Sequence, residues 1–236
     1  MAQSILMKTF SLCQNINSSE KFGIDDIGEL SNNKDLYFCY VVDGHGGCKN
    51  SEILVKYFHS YILSLEDEFH RLNNTQQEIE FFFEQLIRQF YVQHRGSLRP
   101  AAMSVLMVIF SPTHIYSANL GDCRLGFISE AQQIHWITYP HNAAMSLNTD
   151  TDPTVIEMNL KNYVIDNPVT KSFNTKKLKS LSFKKFDINT NVRYFLASDG
   201  FWMLPDNDAR AIIYNKNLSG FSFFIDDISV HVISFI

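Results

Sequence analysis

Leu36-Tyr37-Phe38-Cys39-Tyr40-Val41-Val42-Asp43-Gly44-His45-Gly46-Gly47 is the stretch on which the fold turns. From Leu36 to Val42 the run is unbroken, apolar and rich in β-formers. Such a run lacks a solvated face, so it reads as a strand buried on both sides. It ends abruptly in an acid and a glycine-rich turn. Upstream, Met7-Lys8-Thr9-Phe10-Ser11-Leu12 alternates and reads as a first strand. Residues 14–34 between them are polar and read as a loop or a long hairpin connection.

Downstream the period changes. Ile53, Leu54, Tyr57, Phe58, Tyr61 and Ile62 recur at helical spacing and predict a helix from about Asn50 to Leu65. Ile79, Phe82, Phe83, Leu86, Ile87, Phe90 and Tyr91 predict a second, from about Thr75 to His94. Both stripes are read as core-facing rather than as partner-binding faces. Strands then return at Met103–Phe110, Ile115–Asn119, Arg124–Ile128 and Ile134–Thr138, with turns at Ser111-Pro112-Thr113 and Gly121-Asp122. Residues 140–192 are polar and show little periodicity. Val192–Ala197 and Ile228–Phe235 read as a last strand pair, with a short helix near Asp206–Tyr214 between them. Neither a repeat nor a low-complexity linker interrupts the 236 residues, so 1–236 reads as a single domain.

Composition narrows the function classes. The chain is 45% hydrophobic and 19% charged, with 20 Phe, enough for a sizeable core and too apolar for disorder throughout. Its net charge of −5 argues against a nucleic-acid partner. There is no apolar run of about 18 residues, which excludes a membrane-spanning helix. Met1–Leu12 lacks the apolar core of a signal peptide. The four cysteines form no CxxC pair and read as reduced thiols, as in a cytoplasmic protein. Delivery into another cell stays open.

Several apolar segments end in an acid at a tight turn: Val41-Val42-Asp43-Gly44, Ala118-Asn119-Leu120-Gly121-Asp122, Leu196-Ala197-Ser198-Asp199-Gly200 and Phe224-Ile225-Asp226-Asp227. Each alone reads as a turn. Together, at strand ends that meet on one sheet edge, converging carboxylates would repel and call for a cation between them. Oxygen donors suit Mg²⁺ or Mn²⁺, and a glycine after the acid lets backbone approach the ion.

These segments resemble, in order, the signatures of the metal-dependent serine/threonine protein phosphatases of the type 2C, or PPM, family. Val41-Val42-Asp43-Gly44-His45-Gly46-Gly47 is similar to its DGHGG motif, and Ala118–Arg124 to its A-N-x-G-D-S-R hairpin. Phe195–Trp202 resembles L-L-A-S-D-G-L-W, and Asp226–Val230 the closing D-N/D-x-T/S-V. The resemblance spans residues 41 to 230. It implies an α+β fold: a four-layer α-β-β-α sandwich, two antiparallel sheets flanked by helices, with the metals in a cleft at one end. It implies hydrolysis of phosphoserine and phosphothreonine on a phosphorylated protein substrate, with Mg²⁺ or Mn²⁺ as cofactor: two ions, with a weaker third. Asp43 would bridge two ions, and the Gly44 carbonyl would ligate one of them. Asp199 and Asp226 would hold the first ion and Asp122 the third. His45 would be the general acid that protonates the leaving oxygen. A monomer is expected.

The resemblance breaks in places. The family's early Arg is missing, since no Arg occurs between Met1 and Glu20. Glu20 is the best candidate for the acidic ligand of the second ion. The pair Asp25-Asp26 is the alternative, and requires a shorter loop before the buried strand. The family's L-T-x-D-H-x-P is reduced to Ile137–His141, and its T-R-A-x-G-D to Thr170–Thr175, with the carboxylates gone. Residues 171–185 hold six lysines, including Lys171. They read either as a solvated edge or as a basic lip that attracts substrate in place of the missing Arg, with Lys171 as the substrate-binding candidate. The rival readings are a pseudophosphatase that binds without turnover, and a hydrolase of small phosphate esters.

Overall fold

The protein's structure, a computed structural model, describes residues 7–14, 17–18, 21–22, 25–32, 35–45, 49–162, 168–218 and 226–236. The chain opens with β1 (Met7–Gln14), the short pair β2 (Asn17–Ser18) and β3 (Lys21–Phe22), and β4 (Asp25–Ser31). β5 (Tyr37–Gly44) leads to helices α1 (Lys49–Ser64), α2 (Glu66–Arg71) and α3 (Gln76–His94). Two hairpins follow, one in each sheet: β6 (Ala102–Phe110) with β7 (His114–Leu120), then β8 (Arg124–Ile128) with β9 (Ile134–Trp136), so the chain crosses between sheets at the β7–β8 turn rather than continuing as a meander. Two small helices, α4 (Ala143–Leu147) and α5 (Pro153–Asn162), precede β10 (Phe173–Asn174), β11 (Ser182–Asp187) and β12 (Arg193–Ala197). The chain ends with α6 (Asp199–Trp202), α7 (Asp206–Asn215) and β13 (Ile228–Phe235).

Two antiparallel sheets result. One has the order β1-β13-β12-β8-β9; the other runs β11-β7-β6-β5-β4, with β10 paired to β6. Strand alternation explains the layering. On β5, Tyr37, Cys39 and Val41, with Leu106 of the neighbouring β6, face the sheet of β1, β13, β12, β8 and β9, where they meet Leu125, Leu196 and Ile233. Phe38, Tyr40 and Val42 point the other way, into a core shared with Leu54, Phe58, Phe83 and Phe90 of α1 and α3. On the far side, Phe195 and Val232 pack under Phe201, Ile212 and Ile213 of α6 and α7. The layers are therefore helix, sheet, sheet, helix. Thr75 caps α3 by accepting the Glu78 N–H at 3.3 Å, which fixes where the longest helix begins.

One expectation is corrected. Residues 25–31, read as part of a polar loop, form β4 at the sheet's edge. Its composition conceals it: Leu30 is its buried apolar residue, Ile27 is partly buried, and the rest is Asp, Gly, Glu and Ser. The strand is held by seven residue pairs with β5, so its partner, not its own hydrophobicity, makes it a strand. No helix among the described residues is long and apolar enough to cross a membrane.

Candidate active site

The acidic turns meet at one end of the sandwich, and register explains how. In the β4–β5–β6 ladder Asp25 pairs with Asp43, and Asp43 with Ser104, so the three stand in one cross-strand row. The β7–β8 turn brings Asp122 against that row. Gly121 has φ +135°, and a Cβ there would lie 2.0 Å from Ser104 Oγ, so the close approach requires glycine. Opposite, Ser198 N–H donates to the Ser229 carbonyl at 3.0 Å, and Ser229 N–H to Ser198 Oγ at 3.0 Å. This stitch sets Asp199 beside Asp226. A Cβ on Gly200 would come within 1.9 Å of the Asp227 carbonyl oxygen, so the acid-glycine order serves packing here too.

Asp43, His45 and Asp122 each offer a ligand atom, all within 4.8 Å of one another. His45 Nδ1 is 3.8 Å from Asp43 Oδ2. Ser104 Oγ donates to Asp122 Oδ1 at 2.6 Å and accepts the Asp122 N–H at 3.0 Å. Its one proton is then spent, so at 2.6 Å His45 Nε2 donates to Ser104. That assignment follows from the hydrogen-bond network. Trp202 Nε1 donates to the Asp122 carbonyl at 2.8 Å and fixes the turn from behind.

Burial first, then the charges of Asp199, Asp25, Asp122 and Asp226, push the Asp43 carboxyl well above its usual range. Asp199 is raised likewise by burial, then by Asp122, Asp226 and Asp25. Asp25 is pushed up to about 7, mainly by burial and next by Asp227, against hydrogen bonds from Ser198 and Ser229. Mutually repelling carboxylates in a low-dielectric pocket are what a hard divalent cation relieves. The donors are oxygens with one imidazole at the edge, which fits Mg²⁺ or Mn²⁺ better than a thiolate-seeking metal.

Asp43, Gly44, His45, Asp122, Asp199 and Asp226 thus come together at one end. Asp226 is exposed and Asp199 half-buried at the rim, whereas Asp43 and Asp122 are buried. Glu20 lies outside the described residues, and Asp25 occupies the row beside Asp43. Lys171 stands apart from the carboxylates. Its Nζ donates to Ser182 Oγ at 3.0 Å, which also meets His141 Nε2 at 3.0 Å. His141 Nδ1 in turn accepts the Gly121 N–H at 3.1 Å. Burial and the Lys171 charge push His141 down to about 4, so it stays neutral and structural behind the Asp122 turn. Sequence reading missed Ser104, which is hidden inside an apolar strand. Its only signal is a hydroxyl in the run Ala102–Phe110.

Residues 7–147 match the protein family described as Protein phosphatase 2C. By sequence, no curated protein matches the chain. Solved structures do match in fold. A serine/threonine phosphatase from S. agalactiae is 16% identical with a TM-score of 0.71, over 97% of this chain and 99% of that one. Stp1 from Staphylococcus aureus is 18% identical, TM-score 0.70, over 99% and 97%. The catalytic domain of PstP, in complex with 2 manganese ions, is 11% identical, TM-score 0.66, over 98% and 99%. At these identities the likeness is one of fold.

Proposed function

The chain belongs to the protein phosphatase 2C family, and from that membership we propose that it hydrolyses phosphoserine and phosphothreonine on proteins at the cluster around Asp43. The family's activity depends on a divalent metal. The observation that carries the reading is the convergence of Asp25, Asp43, Asp122 and Asp199 at one end of the sandwich, where burial and neighbouring carboxylates raise the proton affinity of Asp25, Asp43 and Asp199. Such an arrangement is unstable without a cation, and a mere binding module has no use for it.

In this reading Asp43, Asp199 and Asp226 would hold one ion, and the Gly44 carbonyl would ligate one of the two ions that share Asp43. Asp43 and an acid from the N-terminal segment, Asp25 or Glu20, would hold a second, and Asp122 would support a weaker third. Such ions neutralise phosphoryl oxygens and acidify water. The chain's own residues do the rest. Asp43 and Asp199, by fixing where the cations would lie, set where the phosphoryl group can sit. His45 is oriented through Nε2 by Ser104 and is 20% exposed on its side chain; as the imidazolium it also carries a proton at Nδ1, which can pass to a leaving oxygen. The protein acts as a single domain of residues 1–236, as a monomer, in the cytoplasm. Lys171, in the basic segment behind the Asp122 turn, adds long-range attraction for phosphorylated substrate.

A second reading, a pseudophosphatase, is favoured by one observation: the first Arg of the chain is Arg71, so β1 offers no guanidinium to the phosphate. The deciding experiment is turnover of an aryl phosphate and of a phosphothreonine peptide with Mn²⁺ and after exhaustive EDTA. Turnover lost with the metal supports the enzyme. Tight binding of a phosphoprotein without any turnover supports the rival.

A further inference from the structure

We propose that the cleft beside His45 is a substrate subsite that selects acidic side chains flanking the phosphorylated residue, with Arg99 and Lys176 as its charge-reading residues. This rests on the reading of the site as a protein phosphatase's.

His45 belongs both to the carboxylate cluster and to the wall of a cleft of about 550 Å³, whose lining also includes Arg99, Pro100, Ala101 and Lys176. That volume lies within the range of ligand pockets, about 300–1,000 Å³. None of Asp43, Asp122, Asp199 and Asp226 lines it, so it lies beside the carboxylate cluster, with His45 common to both. The phosphoryl group belongs with the carboxylates. The leaving oxygen meets His45, and the peptide still attached to it is therefore directed into this cleft.

The walls are built rather than loose. Ser51 Oγ donates to the His45 carbonyl at 2.6 Å and accepts the Ala102 N–H at 3.2 Å. Asn50 Nδ2 donates to the Arg99 carbonyl at 3.2 Å. Asn174 pairs with Ala102, and the Gly96 N–H donates to the Thr175 carbonyl at 3.1 Å. Asn174 Oδ1 accepts the N–H groups of Lys176 and Lys177 at 3.1 and 2.9 Å, which fixes the backbone from which Lys176 projects. The floor between is short and apolar.

Arg99 and Lys176 are both exposed, and among the described residues neither forms an ion pair. Two uncommitted cations at the mouth of an apolar cleft, in a chain of net charge −5, are complementary to carboxylate side chains. The chemistry recognised is an acidic stretch within a few residues of the phosphorylated Ser or Thr, with small apolar side chains tolerated on the floor.

The test uses two phosphothreonine peptides of equal length at low ionic strength, one flanked by Asp and Glu, the other by Asn and Gln. The expected kcat/KM ratio is roughly tenfold in favour of the acidic peptide, the scale of two exposed charge pairs. In the double variant Arg99→Gln with Lys176→Gln the ratio should fall towards one. A ratio near one in the wild type, or a wild-type ratio kept by the double variant, overturns the subsite. Aryl-phosphate turnover by the wild type separately tests the underlying reading. If no phosphoester is turned over, that reading fails, and fluorescence anisotropy of the same labelled peptides decides the subsite. Tighter binding of the acidic peptide, lost in the double variant, supports it; equal affinities overturn it. Inorganic phosphate competing away the acidic flank's advantage would show a general anion site and also overturn it.

Discussion

Asp25 and Asp43 stand directly opposite one another across β4 and β5. Like charges in that position destabilise a sheet, and burial worsens it. The pair therefore makes ion binding and fold stability one question.

The first prediction follows from Asp25, which the fold pushes up to about 7. A carboxyl raised in the folded state stays protonated there while the unfolded chain ionises. Its contribution is greatest at low pH and is lost as pH rises from about 4 through 7. The buried histidines His141 and His231, each pushed down to about 4 mainly by burial, act in the opposite direction, so the wild type alone is a poor readout. The comparison with Asp25→Asn isolates the carboxyl. In EDTA the variant should gain stability over the wild type progressively from pH 4 to 7, by at most about 1.4 kcal/mol per unit. Saturating Mn²⁺ should reverse the order, because the wild type gains more from the ion. Parallel melting curves at every pH, with and without Mn²⁺, would show that Asp25 is outside the site.

Asp43→Asn keeps the side chain's shape and removes the charge shared by the cluster. Turnover should fall about a thousandfold or more, since several kcal/mol of charge stabilisation are lost at about 1.4 kcal/mol per tenfold. His45→Ala should discriminate between leaving groups instead. On a phosphothreonine peptide the loss should be roughly 100- to 10,000-fold, and on an aryl phosphate much smaller. Equal losses on both substrates would remove the imidazole from proton transfer.

Ser104 links two site residues through one hydroxyl, to His45 and to Asp122. Ser104→Ala leaves the buried Asp122 carboxylate without that partner, at about 1–3 kcal/mol, and frees the part-exposed His45 ring, to which water can bond instead. We expect a loss of about tenfold or more on the phosphopeptide and weaker stabilisation by Mn²⁺, with Ser104→Thr restoring most of both. Failure of threonine to rescue would mean that the packing, not the hydroxyl, matters.

The strand Tyr37–Gly44 was legible because burial on both faces leaves an unbroken apolar run, and its end because Asp43-Gly44 breaks that run. The edge strand β4 was not, since its register is imposed by β5 and its residues are mostly polar. β11 was legible only as a solvated loop and edge strand somewhere in the lysine-rich stretch 171–185, and it does carry Lys184 and Lys185 exposed on an edge. Asp25 was visible as half of an acidic pair, but its place opposite Asp43 depends on loop length, which composition does not give. Ser104 sits in the site only because β6 pairs in register with Asp43, a three-dimensional fact without a motif.

The last prediction concerns the anchor behind the site. Arg124, two residues beyond Asp122, is fully buried, and its guanidinium donates to Glu157 at 2.9 and 2.5 Å. Its Nε donates to the Thr138 carbonyl at 3.1 Å, and the group lies 4.4 Å over the Trp136 ring. The pair ties α5 to β8. Removing one partner leaves an uncompensated buried charge, whereas removing both leaves mainly a cavity. Glu157→Ala should therefore destabilise by about 3 kcal/mol. That is the lower end of the range for broken buried pairs, because the Glu157 side chain is 24% exposed and water can partly replace it. Arg124→Met in the Glu157→Ala background should cost less than the sum of the two single changes, since the second substitution removes the charge the first one stranded. Denaturant unfolding of the four proteins measures this coupling directly. Additive losses would mean that Trp136 and Thr138, rather than Glu157, hold the guanidinium in place.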